Sequence, residues 1–252
     1  MPVFNVTADG ILFDMDGTLI SSTAALSAVW VEFAKQYDMD LNDLLENSHG
    51  KRTNENLRER LPQLTDKQCD DEAVRFENRI IEISDEKRAK LTTAPDAKDP
   101  QGTIVGLPGV RSLLSQLNQH KRPNRDSWAI VTSATGDYAR QAFLSTKSAG
   151  LPAVFISSDE VNNGKPDPEP YLKGAQLSHF DIKDTIVFED APAGVLSGKR
   201  AGARVLAVTT THDAQRLWDN GADWVVDTLD KVSAHWEGDV LHLTIDSNEK
   251  PQ

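Results

Sequence analysis

Short apolar runs recur along the chain without the in–out alternation of a half-solvated strand. They fall at residues 11–13, 128–131, 154–156, 185–188, 205–208 and 224–226. Runs without that alternation predict strands covered on both faces, as in a parallel sheet. Stretches with helical spacing separate most of them. Over residues 108–118, Val110, Leu113, Leu114 and Leu117 share one face, with Pro108 near the first turn. Another such stretch opens after Asp190 and carries Val195 and Leu196. This alternation predicts an α/β fold, a doubly wound, Rossmann-like parallel sheet.

Residues 22 to about 105 break the rhythm. Leu26, Trp30, Phe33 and Tyr37 recur at helical spacing, as do Cys69, Ala73, Phe76, Ile80 and Ile83. Thr65 and Gln68 have the spacing of a capping box that starts the second of these helices. No strand is evident here, so the segment reads as a helical domain inserted after the first strand. Residues 92–106, rich in Pro, Gly, Asp and Thr, read as the return linker. The expected division is a core of residues 1–20 and 107–246, a helical cap with its linkers over 21–106, and a loose tail over 247–252. Residues 235–245 fit a small hairpin around Glu237-Gly238-Asp239.

Composition narrows the function. The 252 residues are 38% hydrophobic and 26% charged, ordinary for a folded chain, with a formal charge of -12 and no basic stripe. Nucleic acid is therefore not an expected partner. An acidic protein that binds an anion needs a local cation. The single cysteine, Cys69, excludes an internal disulfide and fits a reducing compartment, here the cytoplasm. No signal peptide and no run of about 20 apolar residues is visible, so no membrane association is expected. The chain is expected to act as a monomer.

The strongest chemical signal is Ile11-Leu12-Phe13-Asp14-Met15-Asp16-Gly17-Thr18-Leu19: an apolar strand, two carboxylates one residue apart, then a glycine turn. In an open α/β sheet, ligands bind beyond the carboxyl ends of the strands. Asp14 and Asp16 repel each other there unless a cation, a shared proton or separate roles relieve them. A calcium loop does not fit. Counted from Asp14, glycine stands at position four rather than six, and position twelve is Ala25 rather than glutamate. Three sites follow in order. Ile130-Val131-Thr132-Ser133 ends a strand in two hydroxyls, Gly164-Lys165-Pro166-Asp167-Pro168 presents a lysine in a stiff turn, and Val187-Phe188-Glu189-Asp190 repeats the strand-then-acids pattern. Singly, each has a plainer reading as a helix cap or a solvated lysine. As a set they bring together the groups needed to hold a phosphate, its metal and its counter-charge.

Asp14-Met15-Asp16-Gly17-Thr18, Ser133, Lys165 and Glu189-Asp190 resemble the four ordered motifs of the haloacid dehalogenase-like hydrolases. Ser48-His49-Gly50-Lys51-Arg52-Thr53, residues 164–174 and Phe188-Glu189-Asp190-Ala191-Pro192-Ala193-Gly194 are similar to segments of fungal glycerol-phosphate and 2-deoxyglucose-6-phosphate phosphatases. The resemblance implies a nucleophilic Asp14 that forms an aspartyl phosphate. It implies Mg²⁺ on the Asp14 carboxylate, the Asp16 backbone carbonyl and Asp190, with Glu189 holding a metal-bound water. Ser133, Lys165 and Thr18 are the implied phosphate-binding residues, and Asp16 the acid and base. Arg52 and His49 on the cap are expected to face the leaving group.

What the resemblance implies is thus a Mg²⁺-dependent phosphatase acting on a small phosphorylated polyol or sugar. A sugar-phosphate mutase would use the same nucleophile and acid. A non-enzymatic phosphometabolite-binding protein would use the fold without the chemistry, which four intact motifs argue against.

Overall fold

The computed structural model describes residues 2–48, 50–93, 102–120, 122 and 126–250. Its centre is a parallel sheet of β2 (Ile11–Phe13), β5 (Trp128–Val131), β6 (Phe155–Ile156), β7 (Ile186–Glu189), β8 (Arg204–Val208) and β9 (Trp224–Val226). The order is β6-β5-β2-β7-β8-β9. Ile11 and Phe13 point to one core and Leu12 to the other, as do their neighbours Ile130 against Val131 and Phe188 against Val187. Burial on both faces removes any need for polar positions, which is why the strands read as unbroken apolar runs.

All six runs anticipated from sequence match their strands to within one residue at either end. The strand at 185–188 slides by one, because the Thr185 hydroxyl donates to the Asp181 carbonyl and closes the preceding turn instead. Helices α5 (Val110–Leu117), α6 (Gly136–Ser145), α7 (Glu169–Ser178), α8 (Pro192–Ala201) and α9 (Ala214–Asp219) cover the sheet. Helix α5 starts two residues after Pro108, since Val110 N–H donates to the Leu107 carbonyl and closes a turn there.

Between β2 and β5 run α1 (Thr23–Tyr37), α2 (Leu41–Asn47), α3 (Thr53–Arg60) and α4 (Asp66–Thr93). The anticipated capping box starts α4: Gln68 N–H donates to the Thr65 hydroxyl, and Thr65 N–H donates to the Gln68 side chain at 2.8 Å. Trp30, Phe33 and Phe76 form its aromatic centre, with Trp30 and Phe76 4.2 Å apart between ring centroids. The chain enters and leaves this block through β3 (Ile20–Ser21) and β4 (Val105–Gly106), which pair antiparallel, Ile20 with Gly106 and Ser21 with Val105. Most of the anticipated return linker, residues 94–101, lies outside the described residues.

A second sheet, antiparallel, joins β1 (Val3–Ala8) to the hairpin of β10 (Val232–Glu237) and β11 (Val240–Asp246) in the order β1-β11-β10. The hairpin was legible and its turn is Gly238-Asp239; β1 was not, because it is mostly exposed and alternates Phe4, Val6 and Ala8 with Asn5 and Thr7 instead of forming an unbroken apolar run. Residues 247 and 248 are not loose. Ser247 is buried, its hydroxyl donates to the Val225 carbonyl and accepts from Val225 N–H, and Asn248 N–H donates to the same carbonyl. These bonds satisfy the open edge of β9.

Candidate active site

Strands β5 and β7 flank β2, and the chain departs from β2 toward opposite edges of the sheet, so the crevice lies beyond the carboxyl ends of these three strands. Asp14 leaves β2 with its N–H donating to the Phe188 carbonyl at 2.9 Å. Lys165 comes from the loop before α7 and is fully buried. Its Nζ donates to Asp14 Oδ1 at 2.6 Å, Glu189 Oε1 at 2.9 Å and the Val131 carbonyl at 2.9 Å. All three ammonium protons are thereby used. Asp14 and Glu189 hold this lysine charged, its pKa raised, although burial opposes the charge.

Glu189 is equally occupied. Oε1 accepts from Lys165 and from the Tyr171 phenol at 2.8 Å, and Oε2 accepts from the N–H groups of Asp190 and Ala191. Two donors on each oxygen fill its in-plane lone pairs. These contacts anchor Lys165 and the start of α8, and they leave Glu189 grouped with Asp14 and Asp190. Gly194 permits this, since a Cβ there would lie 1.6 Å from Glu189 Oε1.

Asp190 and Asp14 keep free oxygen capacity. Asp190 Oδ2 accepts from the Thr211 hydroxyl and Oδ1 from the Thr18 hydroxyl at 3.3 Å. Asp14 Oδ2 has no protein partner among the described residues. Burial pushes Asp14 up to about 7 against the pull of Lys165, and burial beside Asp14 and Glu189 raises Asp190 well above the ordinary carboxylate range. Ligand oxygens of Asp14, Glu189 and Asp190 lie within 4.8 Å of one another, a cluster that could hold a metal ion. Three buried carboxylates against one lysine leave an excess of negative charge, and hard oxygen donors suit a hard divalent cation. Gly17, at φ 91°, admits Asp190, whose Oδ2 would otherwise meet a Cβ at 2.2 Å.

Asp16 stands apart from this cluster. Its Oδ1 accepts from the Ser22 hydroxyl at 2.6 Å and from the Tyr138 phenol at 2.8 Å, and burial raises its pKa. Both donors hold one oxygen and leave the other open. Above Asp14 and Asp16, α1, α3 and α4 line a small cavity of about 70 Å³. Ser133 lines it and donates to the Gly50 carbonyl at 3.0 Å, bridging sheet and helical block. Glu77 of α4 also lines it. Its Oε1 accepts from Thr53 at 3.1 Å and its Oε2 from the N–H and hydroxyl of Thr135, while burial pushes it up to about 7.

Two further expectations change. Thr18 is fully buried with its hydroxyl on Asp190, so it orients that carboxylate rather than meeting substrate. The Arg52 guanidinium turns away from the cavity and donates to the carbonyls of Val161 at 2.6 Å and Asn162 at 3.0 Å, clamping the helical block to the sheet domain. Carbonyls of a turn are fixed acceptors, whereas the cavity offers this arginine only a distant, mobile guest. His49 lies outside the described residues. Sequence reading missed Tyr138, Tyr171, Ser22, Glu77 and Thr211. Thr211 was within reach: Thr209-Thr210-Thr211 follows β8, a strand ending in hydroxyls just as β5 does.

A cluster of this composition at the switch point of a parallel sheet, roofed by inserted helices, defines the protein's class. A sequence model of the haloacid dehalogenase-like hydrolases matches residues 11–208, and the chain belongs to that family. It is 37% identical to 2-deoxyglucose-6-phosphate phosphatase 1 of Saccharomyces cerevisiae, over 90% of each chain. It is 32% identical to glycerol-1-phosphate phosphohydrolase 1 of the same yeast, over 88% of this chain and 82% of that one. The structure of CbbY from Rhodobacter sphaeroides in complex with phosphate has the same fold, with a TM-score of 0.68 at 18% identity over 88% of this chain and 95% of that one.

Proposed function

We propose that this chain is a phosphatase that hydrolyses a small phosphorylated sugar or polyol through an aspartyl-phosphate at Asp14. The observation that carries it is the pairing of Asp14, which keeps one carboxylate oxygen free of donors among the described residues, with Asp16, which is held by Ser22 and Tyr138 through one oxygen and lines the cavity. The curated relatives named for sugar- and glycerol-phosphate hydrolysis support the substrate class.

In the first step Asp14 attacks phosphorus, the bond from phosphorus to the ester oxygen breaks, and that oxygen takes the proton of Asp16. Burial raises the Asp16 pKa, which favours the protonated form this step needs. In the second step a water attacks the phosphorus of the aspartyl-phosphate, its proton passes to Asp16, and the bond to Asp14 breaks. Ser133 lines the cavity and, on releasing the Gly50 carbonyl, would donate to the phosphoryl group, while the Lys165 ammonium, 2.6 Å from Asp14 Oδ1, offsets its charge. Asp14 and Asp190, with the Asp16 backbone carbonyl, would hold Mg²⁺, which when bound neutralises charge on the transferring phosphoryl group.

The helical block over residues 21–106 acts as a cap on a core of residues 1–20 and 107–246, keeping bulk water from the reaction. We place the enzyme in the cytoplasm as a monomer, in keeping with a lone, buried cysteine. No helix among the described residues is long and apolar enough to cross a membrane. The test is phosphate release across a panel of phosphorylated metabolites. Stoichiometric inorganic phosphate supports hydrolysis; transfer to a second sugar position without phosphate release overturns it.

A further inference from the structure

We propose that Glu77 determines which leaving groups the cavity admits: it accepts a hydroxyl from an uncharged leaving group and turns away one that carries a second anionic group. This rests on the phosphatase reading and adds the residue that sets its specificity. The cavity over Asp14 is two-sided. Leu26, Trp30, Phe76 and Ile80 form an apolar wall, and Asp16, Asn56 and Glu77 bring polar groups to the rest. A ring or chain with carbon–hydrogen bonds on one side and hydroxyls on the other matches that division.

Glu77 is held as a fixed acceptor. It is 3% exposed, and Oε2 is filled by the N–H and hydroxyl of Thr135. Oε1 accepts one bond, from Thr53, which leaves it a second lone pair with no donor among the described residues. A buried acceptor short of one donor is a place where a guest hydroxyl is gained and its absence is felt.

The same surroundings are hostile to an anion. Lys51 is the one Lys or Arg among the described residues that line the cavity, and its Nζ is paired with Glu59 at 3.2 Å, with a third of the side chain exposed. Arg52 is turned to Val161 and Asn162, and Lys165 has no proton left. A second phosphate on the leaving group would thus be stripped of water beside Asp16 and Glu77 with no unpaired Lys or Arg among the described residues that line the cavity. That condition favours a monophosphate ester of a neutral sugar or polyol over a bisphosphate, the species through which a mutase passes.

The experiment compares wild type, Glu77→Gln and Glu77→Ala, each checked for fold by circular dichroism and thermal melting. The substrates are the best hexose monophosphate of the panel, glucose 1,6-bisphosphate and p-nitrophenyl phosphate. Wild type is expected to favour the monophosphate over the bisphosphate by about 100-fold in kcat/KM, and Glu77→Gln to narrow that gap about tenfold. Glu77→Gln is also expected to cost the monophosphate about tenfold more than p-nitrophenyl phosphate, chiefly through KM. Equal losses on all three substrates would mean that Glu77 only holds the fold, and the proposal falls. It falls also if wild type hydrolyses bisphosphate as readily as monophosphate. Calorimetric binding of the two phosphates to Asp14→Asn, with and without Glu77→Gln, reads the same ranking without turnover. Wild type that releases no phosphate from any compound would sink the phosphatase reading, whereas this binding comparison judges Glu77 by itself.

Discussion

The phenol of Tyr138 donates to Oδ1 of Asp16 at 2.8 Å, across 122 positions of sequence. With Ser22 on the same atom, it leaves the other oxygen of Asp16 open. Tyr138→Phe is expected to lower kcat about tenfold on an alkyl phosphate, because a misaligned acid is a weaker one. p-Nitrophenyl phosphate, whose leaving group departs as an anion, should lose less. Steady-state kinetics on the two substrates checks this, and equal losses would remove Tyr138 from the proton-transfer geometry.

Asp14→Asn should fold and be inactive, with a loss beyond about 10⁴-fold, since the amide keeps the shape and removes the nucleophile. Superimposable circular dichroism with no phosphate release is the expected result. Turnover near that of wild type, in protein purified free of host phosphatase, would end the nucleophile assignment.

Exhaustive chelation should abolish activity, and added Mg²⁺ should restore it. The crowded charge of Asp14, Glu189 and Asp190 gives a second readout. Mg²⁺ should raise the melting temperature of wild type by several degrees and that of Asp190→Asn much less, as binding to the folded state alone predicts. Identical shifts in both proteins would place the metal elsewhere.

Arg52→Ala should lower kcat/KM by a similar factor on the best metabolite and on p-nitrophenyl phosphate, about tenfold for two charge-assisted bonds. The reason is that Arg52 clamps Val161 and Asn162 and does not read the leaving group. A loss confined to the metabolite would restore the expectation drawn from sequence.

Glu77 makes stability depend on pH. Its pKa rises from 4.5 to about 7 on folding, with burial the largest cause. Its contribution is fully present below 4.5, fades as the unfolded chain ionises ahead of the folded one, and is gone above about 7. Wild type should therefore lose melting temperature between pH 4.5 and 7 more steeply than Glu77→Gln, which carries no titrating group there. Parallel curves for the two proteins would refute the shift.

The parallel sheet was legible because its strands are apolar apart from the terminal Glu189 and Arg204, and burial on both faces favours just that. Strand β1 was not, since a mostly exposed antiparallel edge alternates, here Phe4, Val6 and Ala8 with Asn5 and Thr7, and offers no unbroken apolar run. Asp14, Asp16, Lys165 and Asp190 were legible because each stands beyond a strand or in a stiff turn and carries charge. Tyr138 and Tyr171 were hidden inside helices α6 and α7, where a buried tyrosine looks like any other core residue until its hydroxyl is placed. Arg52 was misread for a related reason. A charged residue beside a site is easily taken as aimed at the guest, and only the positions of the Val161 and Asn162 carbonyls reveal its actual partner.

The pairing of Ile20 with Gly106 gives the molecule a socket. Both strands that lead into the helical block leave the sheet domain side by side, so the block hangs from a single two-stranded neck while the carboxylates and Lys165 stay on the other side of it. A different set of helices on the same neck would inherit the reaction and change the guest.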